Sequence, residues 1–530
     1  MDSLTIAGLV VFILAVYVYR NVGRRPKDFP PGPPTLPILG NLHLMPQEKA
    51  HEQFTRWADE YGPIYSLIVG STVMIVITSD QIVKDLFDKR GNIYSSRPSS
   101  YIGDIATNGL LMVAMKYGER WRNLRRLIQN HINAEVSKDY IPYQELERSS
   151  MLSGILDRPD RWEDLLRGFT SSSTSQMVFG WRSTSIDDPE MHQLVECVNG
   201  LSTIMSSPIA QMVECLPWLR YLPETLLPVK REARKHEEIE HALYKKHIKA
   251  VEHAVQTNTA VPCFSIKSLE AAKEGRVTET GAAYISGAVW GAGADTTYAT
   301  LLGFVKAMIL CPDVQLKAQQ EIEKVCGQRM PTLEDEPQMQ YLRGCVKESL
   351  RWFPTLILGF PHSNVSEDMY MGYRIPKEAT VVMNIWGIHN NASRYPNPRA
   401  FDPSRYANDF QSAVQSSLDP DPSQRDHFSF GAGRRICQGM HIAERALFLV
   451  MTGLLWAFNI EAAEDEKGNK IMPDPLDIEE GFLAKPRYFP ARFVPRSREK
   501  AEAVRVGWEK EVREKLDERG QWRSVPVGER

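Results

Sequence analysis

Apolar and polar positions are spread unevenly along the chain. Leu4 to Tyr19, LTIAGLVVFILAVYVY, carries no charge, and Arg20, Arg24 and Arg25 follow it. At about 1.5 Å per residue the run is slightly short for a membrane span unless its flanks join it. Asp2 precedes it, and bulky Tyr17, Val18 and Tyr19 close it. A cleaved signal peptide would need a basic start and a small-residue cleavage site, so residues 1-28 are expected to be an uncleaved anchor. The arginines on its C-terminal side predict a single pass with the body of the chain cytosolic. FPPGPPTLPILGN, Phe29 to Asn41, cannot continue a helix and predicts a stiff, extended hinge over 29-41.

Beyond the hinge, Ile64 to Ser79 reads as two β-rich runs about Gly70 and Ser71, a hairpin signal. Thr278 to Leu310 holds no proline and is apolar on more than one face, which predicts a long helix crossing a core. Short β-like runs return in YRIPKEATVVMNIW, and a final helix is expected after Cys437. Residues 42-496 therefore read as one large, mainly α body with small β-sheets. Residues 497-530 are charged with few apolar positions, the pattern of a solvated helix or a disordered tail.

Composition narrows the class. With 43% hydrophobic and 24% charged residues the chain is globular, and a net charge of -3 gives no reason to invoke nucleic acid. Seven scattered cysteines, with no CxxC pair, fit a reducing compartment and exclude a disulfide scaffold.

One of the seven has unusual neighbours. In FSFGAGRRICQGMH, Cys437 follows two arginines and lies near Gly431, Gly433 and Gly439. A thiolate is the metal-binding form of cysteine, and nearby positive charge and backbone N–H groups favour it. Phe430, Gly433, Arg435, Cys437 and Gly439 spell F-x-x-G-x-R-x-C-x-G. This resembles the haem-binding loop of the cytochrome P-450 monooxygenases, at all five positions.

Further motifs follow the same resemblance. AGADTT, Ala292 to Thr297, places an acid beside an alcohol within the long apolar helix, which is costly without a partner or a purpose. It is similar to the family's oxygen-activation motif. The resemblance implies that Thr296 hydrogen-bonds the oxygen being activated, that Asp295 feeds protons, and that Gly293 leaves room near the iron. Glu348 and Arg351 lie three apart on one helical face. With Arg405 of FDPSRY they match the family's structural triad, although Ser404 and Tyr406 depart from its usual residues. Trp121 and Arg125 also share a face, and the resemblance makes them haem-propionate contacts together with Arg435 and His362. Arg122 and Arg126 on the neighbouring face would meet a reductase. Gln438 occupies a slot that is more often apolar and has no reading.

The implied protein has the cytochrome P-450 fold plus one N-terminal transmembrane helix, with 42-496 as its catalytic domain. Cys437 would be the axial ligand of haem b, with Phe430, Gly431, Gly433 and Gly439 shaping its loop. Electrons would come from NADPH through a separate flavoprotein reductase, with cytochrome b5 as an additional partner. The expected place is the endoplasmic reticulum membrane. The pocket would draw on Ala288, Ala292, Ile357, Leu358 and Phe482, which are apolar or aromatic and point to a small apolar substrate. The GNIYS-RPSS, RGCVKESLRWFP and GERW contexts are similar to fungal secondary-metabolite members such as O-methylsterigmatocystin oxidoreductase-like enzymes. A detoxifying monooxygenase, a reductase-independent haem-thiolate isomerase or dehydratase, and a membrane-tethered haem binder are the competing readings. The acid–alcohol pair argues against the last two.

Overall fold

The structure, a computed structural model, describes residues 22–481 and 483–526. Helix α7 (Glu279–Leu310) is the axis of the body. It begins where the Thr278 side chain accepts the Gly281 N–H and ends at Cys311, before Pro312. Its second half is buried almost all round, with Leu301, Phe304, Val305 and Met308 inaccessible. These residues join one core with α3 (Ile141–Asp157), α4 (Trp162–Phe179), α8 (Gln340–Trp352) and α9 (Met440–Ala457). A second core gathers α2 (Glu119–Ile132), α5 (Pro189–Ser206), α6 (Val229–Gln256) and the first half of α7.

The sheets are small. β1 (Ile64–Val69) and β2 (Thr72–Ile77) form the expected antiparallel hairpin, with Gly70 in the left-handed region at φ +62°. β3 (His362–Ser363) and β6 (Thr380–Met383) complete a sheet of order β1-β2-β6-β3, in which the β2–β6 pair is parallel. Between them, β4 (Asp368–Tyr370) and β5 (Tyr373–Ile375) make a hairpin. β7 (Phe458–Glu464) pairs with β8 (Lys470–Ile471) and with β11 (Ala491–Pro495), and β9 (Ile478–Glu479) with β10 (Lys485–Pro486).

The expected anchor, Leu4 to Tyr19, lies outside the described residues. Among the described residues α9 is long and apolar enough to cross a membrane, but it is mostly buried inside the protein and serves as a core helix. The hinge is no free spacer. Pro31 O accepts the Ser66 N–H at 2.7 Å, and the Asn41 side chain accepts the Ile68 N–H at 2.9 Å, strapping 29-41 onto β1. Arg25 is part of the same strap. Its guanidinium donates to Ser66 Oγ, Gly32 O and Pro33 O, a use that a charge count of the membrane flank does not reveal.

The charged tail forms α10 (Arg498–Lys515), whose Ser497 side chain caps Lys500 N–H. Beyond it Leu516 and Trp522 are buried, and Trp522 Nε1 donates to Gln176 Oε1 at 2.5 Å. The tail is thus docked at both ends rather than solvated throughout. Two well-placed apolar residues outweigh its composition, which is why the charge pattern concealed the docking.

Candidate active site

The Cys437 loop owes its path to one glycine above all. Gly433 has φ +64°, and a Cβ there would lie 2.1 Å from the Phe87 carbonyl oxygen, so no side chain fits. Gly431, at φ +75°, turns the chain back, and Gly431 N–H donates to Phe428 O at 2.8 Å. Cys437 N–H then donates to Phe430 O at 2.8 Å, closing the loop. The Cys437 thiol lines an internal cavity and is exposed to it. Desolvation pushes its pKa up, while the Gly439 N–H and the Arg125 charge favour the thiolate. Gln438 now has a role: its Nε2 donates to Arg125 O at 2.9 Å and to Gln129 Oε1 at 3.1 Å, bolting the loop to α2.

Behind the loop sits a buried ion cluster. Arg351 makes two 2.7 Å bonds to Glu348, and both residues are fully inaccessible. Arg405 Nε reaches the same carboxylate at 3.3 Å. The Tyr406 hydroxyl donates to it at 3.0 Å, so the departure from the family's usual residue adds a hydrogen bond. Arg351 O accepts from His389 Nδ1 at 2.9 Å, and His389 Nε2 accepts the Phe428 N–H at 2.7 Å. That fixes His389 as the neutral Nδ1–H tautomer, in keeping with burial that holds its pKa well below the usual range. The cluster is thereby coupled to the first residue of the cysteine loop.

The cavity measures about 420 Å³, and its lining is mostly apolar. One part of it is strongly cationic. Arg125 and Arg435 stand on its wall with Trp121 and His362. The Arg435 guanidinium lies 4.0 Å from the Trp121 ring centre and donates to Ser95 O and Met115 O. Burial lowers Arg125 to about 10 and Arg435 to about 9. His362 Nδ1–H donates to Tyr94 O at 2.8 Å. Trp121 Nε1 is buried without a hydrogen-bond partner.

Along α7, Ala288, Ala292, Gly293 and Thr296 face the cavity. Thr296 Oγ1 donates to Ala292 O at 2.8 Å, so its lone pairs are what it offers to the cavity. Asp295 does not line the cavity. It pairs with Arg167 of α4 at 3.0 Å, and the Arg167 guanidinium stacks on Tyr298. Desolvation raises the Asp295 pKa against the pull of Arg167.

Comparison with known proteins agrees with this geometry. The family model for cytochrome P450 matches residues 30–489. The chain is 45% identical over 523 residues to the cytochrome P450 monooxygenase virE of Hypocrea virens, covering 98% of this chain and 95% of that one. It is 45% identical over 522 residues to the cytochrome P450 monooxygenase fogE of Aspergillus ruber, covering 98% and 96%. A solved zebra fish cytochrome P450 structure with abiraterone superposes at TM-score 0.68 and 22% identity, over 84% of this chain and 100% of that chain. That last likeness shows the fold. The chain belongs to the cytochrome P450 family. It is a monooxygenase of mainly helical architecture with small sheets.

The residues present fit haem, the group this P450 family carries. A thiol opens on a cavity, backbone N–H support stands beside it, and buried guanidiniums and an orphan indole N–H await an anion. Sequence reasoning missed the third guanidinium. Arg97 is 5% exposed and lines the cavity, donating to Val113 O, Phe360 O and Pro361 O. The charges of Arg435 and Arg125 help burial to lower its pKa. Its partners lie up to 264 residues away, so no local spacing signals it.

Other expectations need correction. Ile357 and Leu358 do not line the cavity; Thr355, Leu356, Gly359 and Phe360 do. Ile357 packs into the main core and its carbonyl accepts the Trp386 N–H, while Leu358 packs by β1 and β2. The turn closed by Gly359 N–H to Leu356 O rotates the segment by one position, which a residue-type count does not register. Phe482 lies outside the described residues, and its neighbour Leu483 lines the cavity. Gly293 has a second use: a Cβ there would stand 3.0 Å from Thr174 of α4. Glu240 and Tyr244 of α6 also reach the wall, which the apolar reading of the pocket left out.

Proposed function

We propose that the chain is a haem b monooxygenase that inserts one oxygen atom from O2 into a small apolar or aromatic molecule, as a tailoring step of fungal secondary metabolism. The observation that carries this reading is the Cys437 thiol and the guanidinium cluster sharing one largely apolar cavity with Thr296. Haem, when bound, supplies the redox-active iron at which O2 is split, one atom passing to substrate and the other to water. Cys437 would ligate the iron, and Arg97, Arg125, Arg435 and the Trp121 indole would hold the propionates. Thr296 would hold a water or O–H donor at the cavity wall through its free lone pairs. Asp295 would pass protons only when its Arg167 pair opens, which makes Arg167 the gate of that route.

The electrons would come from NADPH through a separate flavoprotein reductase, with cytochrome b5 as a second donor. A concave basic surface supports this. Arg122, Arg126 and Arg434 line a hollow with Tyr117 and Gly433, on the outer side of the cysteine loop. Attachment to the endoplasmic reticulum membrane has support too. Leu36, Ile38 and Leu39 of the strap are exposed, as are Ile209, Met212, Trp218 and Tyr221. Gly70 touches both segments, hydrogen-bonding Leu39 O and lying against Cys215 O, so the two exposed apolar segments are neighbours.

The test is the reduced carbon monoxide difference spectrum of the full chain, followed by NADPH- and reductase-dependent turnover. A thiolate-type Soret band is expected in the wild type and none in Cys437→Ala. A band that survives that change, or turnover that needs no reductase, sinks the reading.

A further inference from the structure

Three helix side chains away from Cys437 and Thr296, one of them Glu240 on the cavity wall, converge without satisfying one another. Cys197 lies on α5, and His236 and Glu240 lie four apart on one face of α6. All three are buried, at 4%, 7% and 4% exposure. One ligand atom from each falls within 4.8 Å of the other two. His236 Nε2 has no hydrogen-bond partner and Glu240 Oε2 none of good geometry, whereas Glu240 Oε1 accepts from the Tyr244 hydroxyl at 3.2 Å and the Tyr284 hydroxyl stands near the same carboxyl. Each buried polar atom left in this way costs about 1–3 kcal/mol. A proton shared between the carboxyl and the imidazole would relieve both, yet the two do not come within hydrogen-bond distance. Burial favours their neutral forms, raising Glu240 and lowering His236, so no ion pair draws them together either.

We propose that Cys197, His236 and Glu240 bind a zinc ion that staples α5 to α6. A thiolate, an imidazole and a carboxylate make a mixed soft and borderline donor set suited to zinc and foreign to calcium or magnesium. Zinc bonds of about 2.0–2.3 Å in tetrahedral array set ligand atoms roughly 3.5 Å apart. Side-chain torsions close the remaining gap, and a water or a second carboxylate oxygen fills the fourth position. Binding displaces the Cys197 proton to solvent, so no oxidant or reductant is involved. The ring of His236 leans on Gly200 of α5, where a Cβ would lie 3.2 Å from its Nδ1, so the fold already seats the imidazole between the helices. Val198 and Leu201 of α5 and Glu240 and Tyr244 of α6 line the substrate cavity. The staple would therefore fix the spacing of two of its walls, independently of the oxidation chemistry.

The test uses the full-length, detergent-solubilised holoenzyme, stripped on a chelating resin and re-equilibrated with zinc sulfate. Metal analysis should give about one zinc per haem iron. Cys197→Ser and His236→Gln should each lose more zinc affinity than the ~10–100-fold that removal of an outer-sphere partner costs. The carbon monoxide band should stay at full strength, and Cys215→Ser should keep its zinc. Zinc far below stoichiometry in the wild type overturns the proposal, as does full zinc in either variant or copper in its place. If the variants lose the haem band through misfolding, zinc-edge X-ray absorption on the wild type decides. One sulfur with nitrogen and oxygen neighbours is expected, and a shell without sulfur refutes the site.

Discussion

Around Cys437 the chain is tied down by its own backbone, whereas the α5 side of the same cavity is thinly buried. Phe428 N–H, Gly431 N–H and Cys437 N–H all have short partners, and Ser429 Oγ donates to Leu350 O at 2.5 Å. Of the 18 residues of α5, only Met191, Leu194 and Cys197 are buried. The difference separates two tasks. The cysteine side must hold one atom in one place, and the α5–α6 wall must admit and fit a substrate. Stability should therefore concentrate on the first side and specificity on the second.

The strongest way to break that contrast is to damage the buried ion cluster. Glu348→Ala leaves Arg351 charged in a fully inaccessible site, which should cost about 3–5 kcal/mol and abolish the haem-loaded form. Gly433→Ala should do nearly as much through the Phe87 clash, at about 2–4 kcal/mol. Tyr406→Phe removes one hydrogen bond to Glu348 and should cost only about 1 kcal/mol. Chemical denaturation followed at the Soret band orders the three. Equal effects would show that the cluster is not the source of rigidity. On the other side, Ala288→Phe should cut turnover by on the order of tenfold, about 1.4 kcal/mol of transition-state free energy, with the carbon monoxide band unchanged.

This division also explains what was legible in the sequence. The cysteine loop could be read because Gly433, Arg435, Cys437 and Gly439 lie within seven residues and match one family motif, and of the four Gly433 also answers a backbone demand. The α7 helix was legible because thirty-two residues without proline and apolar on more than one face permit little else. Arg97 was not, since its three carbonyl partners are assembled only by the fold. The pairing of Asp295 with Arg167 was hidden for the same reason, the two standing 128 residues apart. Ile357 and Leu358 were misplaced because one turn decides which of five successive residues faces inward. Local backbone requirements leave a trace in sequence, and side-chain choices across the cavity do not.

Acid should expose both sides through buried histidines, with the sign set by depressed pKa values. Burial lowers His247, stacked on Phe179, to about 4, and His427, packed on Phe430, to about 3. The unfolded chain binds these protons near pH 6.5 and the fold refuses them, so stability is full above that pH and falls as pH drops towards 3–4. Glu240, raised to about 7 by burial, acts in the opposite sense in the zinc-free protein, because its folded form then takes up a proton first. Across the window the net loss should be a few kcal/mol. His427→Phe should flatten the acid limb as read at the Soret band. His247→Phe should flatten it as read by proteolysis of α6. If both variants flatten both signals equally, the two sides unfold as one unit.

The smallest effect should come from outside the cavity. Arg122 and Arg126 are exposed on α2, beside Arg434, whose guanidinium packs with that of Arg122 on the Tyr117 ring. Neither touches the cavity, so Arg122→Glu with Arg126→Glu should leave the carbon monoxide band and the stability of the cysteine side intact. What should change is encounter with the proposed reductase. Rim charges steer association more than they hold a complex, so reductase-supported turnover should fall several-fold at low ionic strength. Salt should then matter less to the variant than to the wild type, because the Debye length shrinks from about 30 Å at 0.01 M to about 8 Å at 0.15 M. Turnover driven by a chemical oxygen donor in place of the reductase should not change. Unaltered reductase kinetics and salt dependence would remove the basic hollow as the docking face, while the cavity and its two unequal walls would stand.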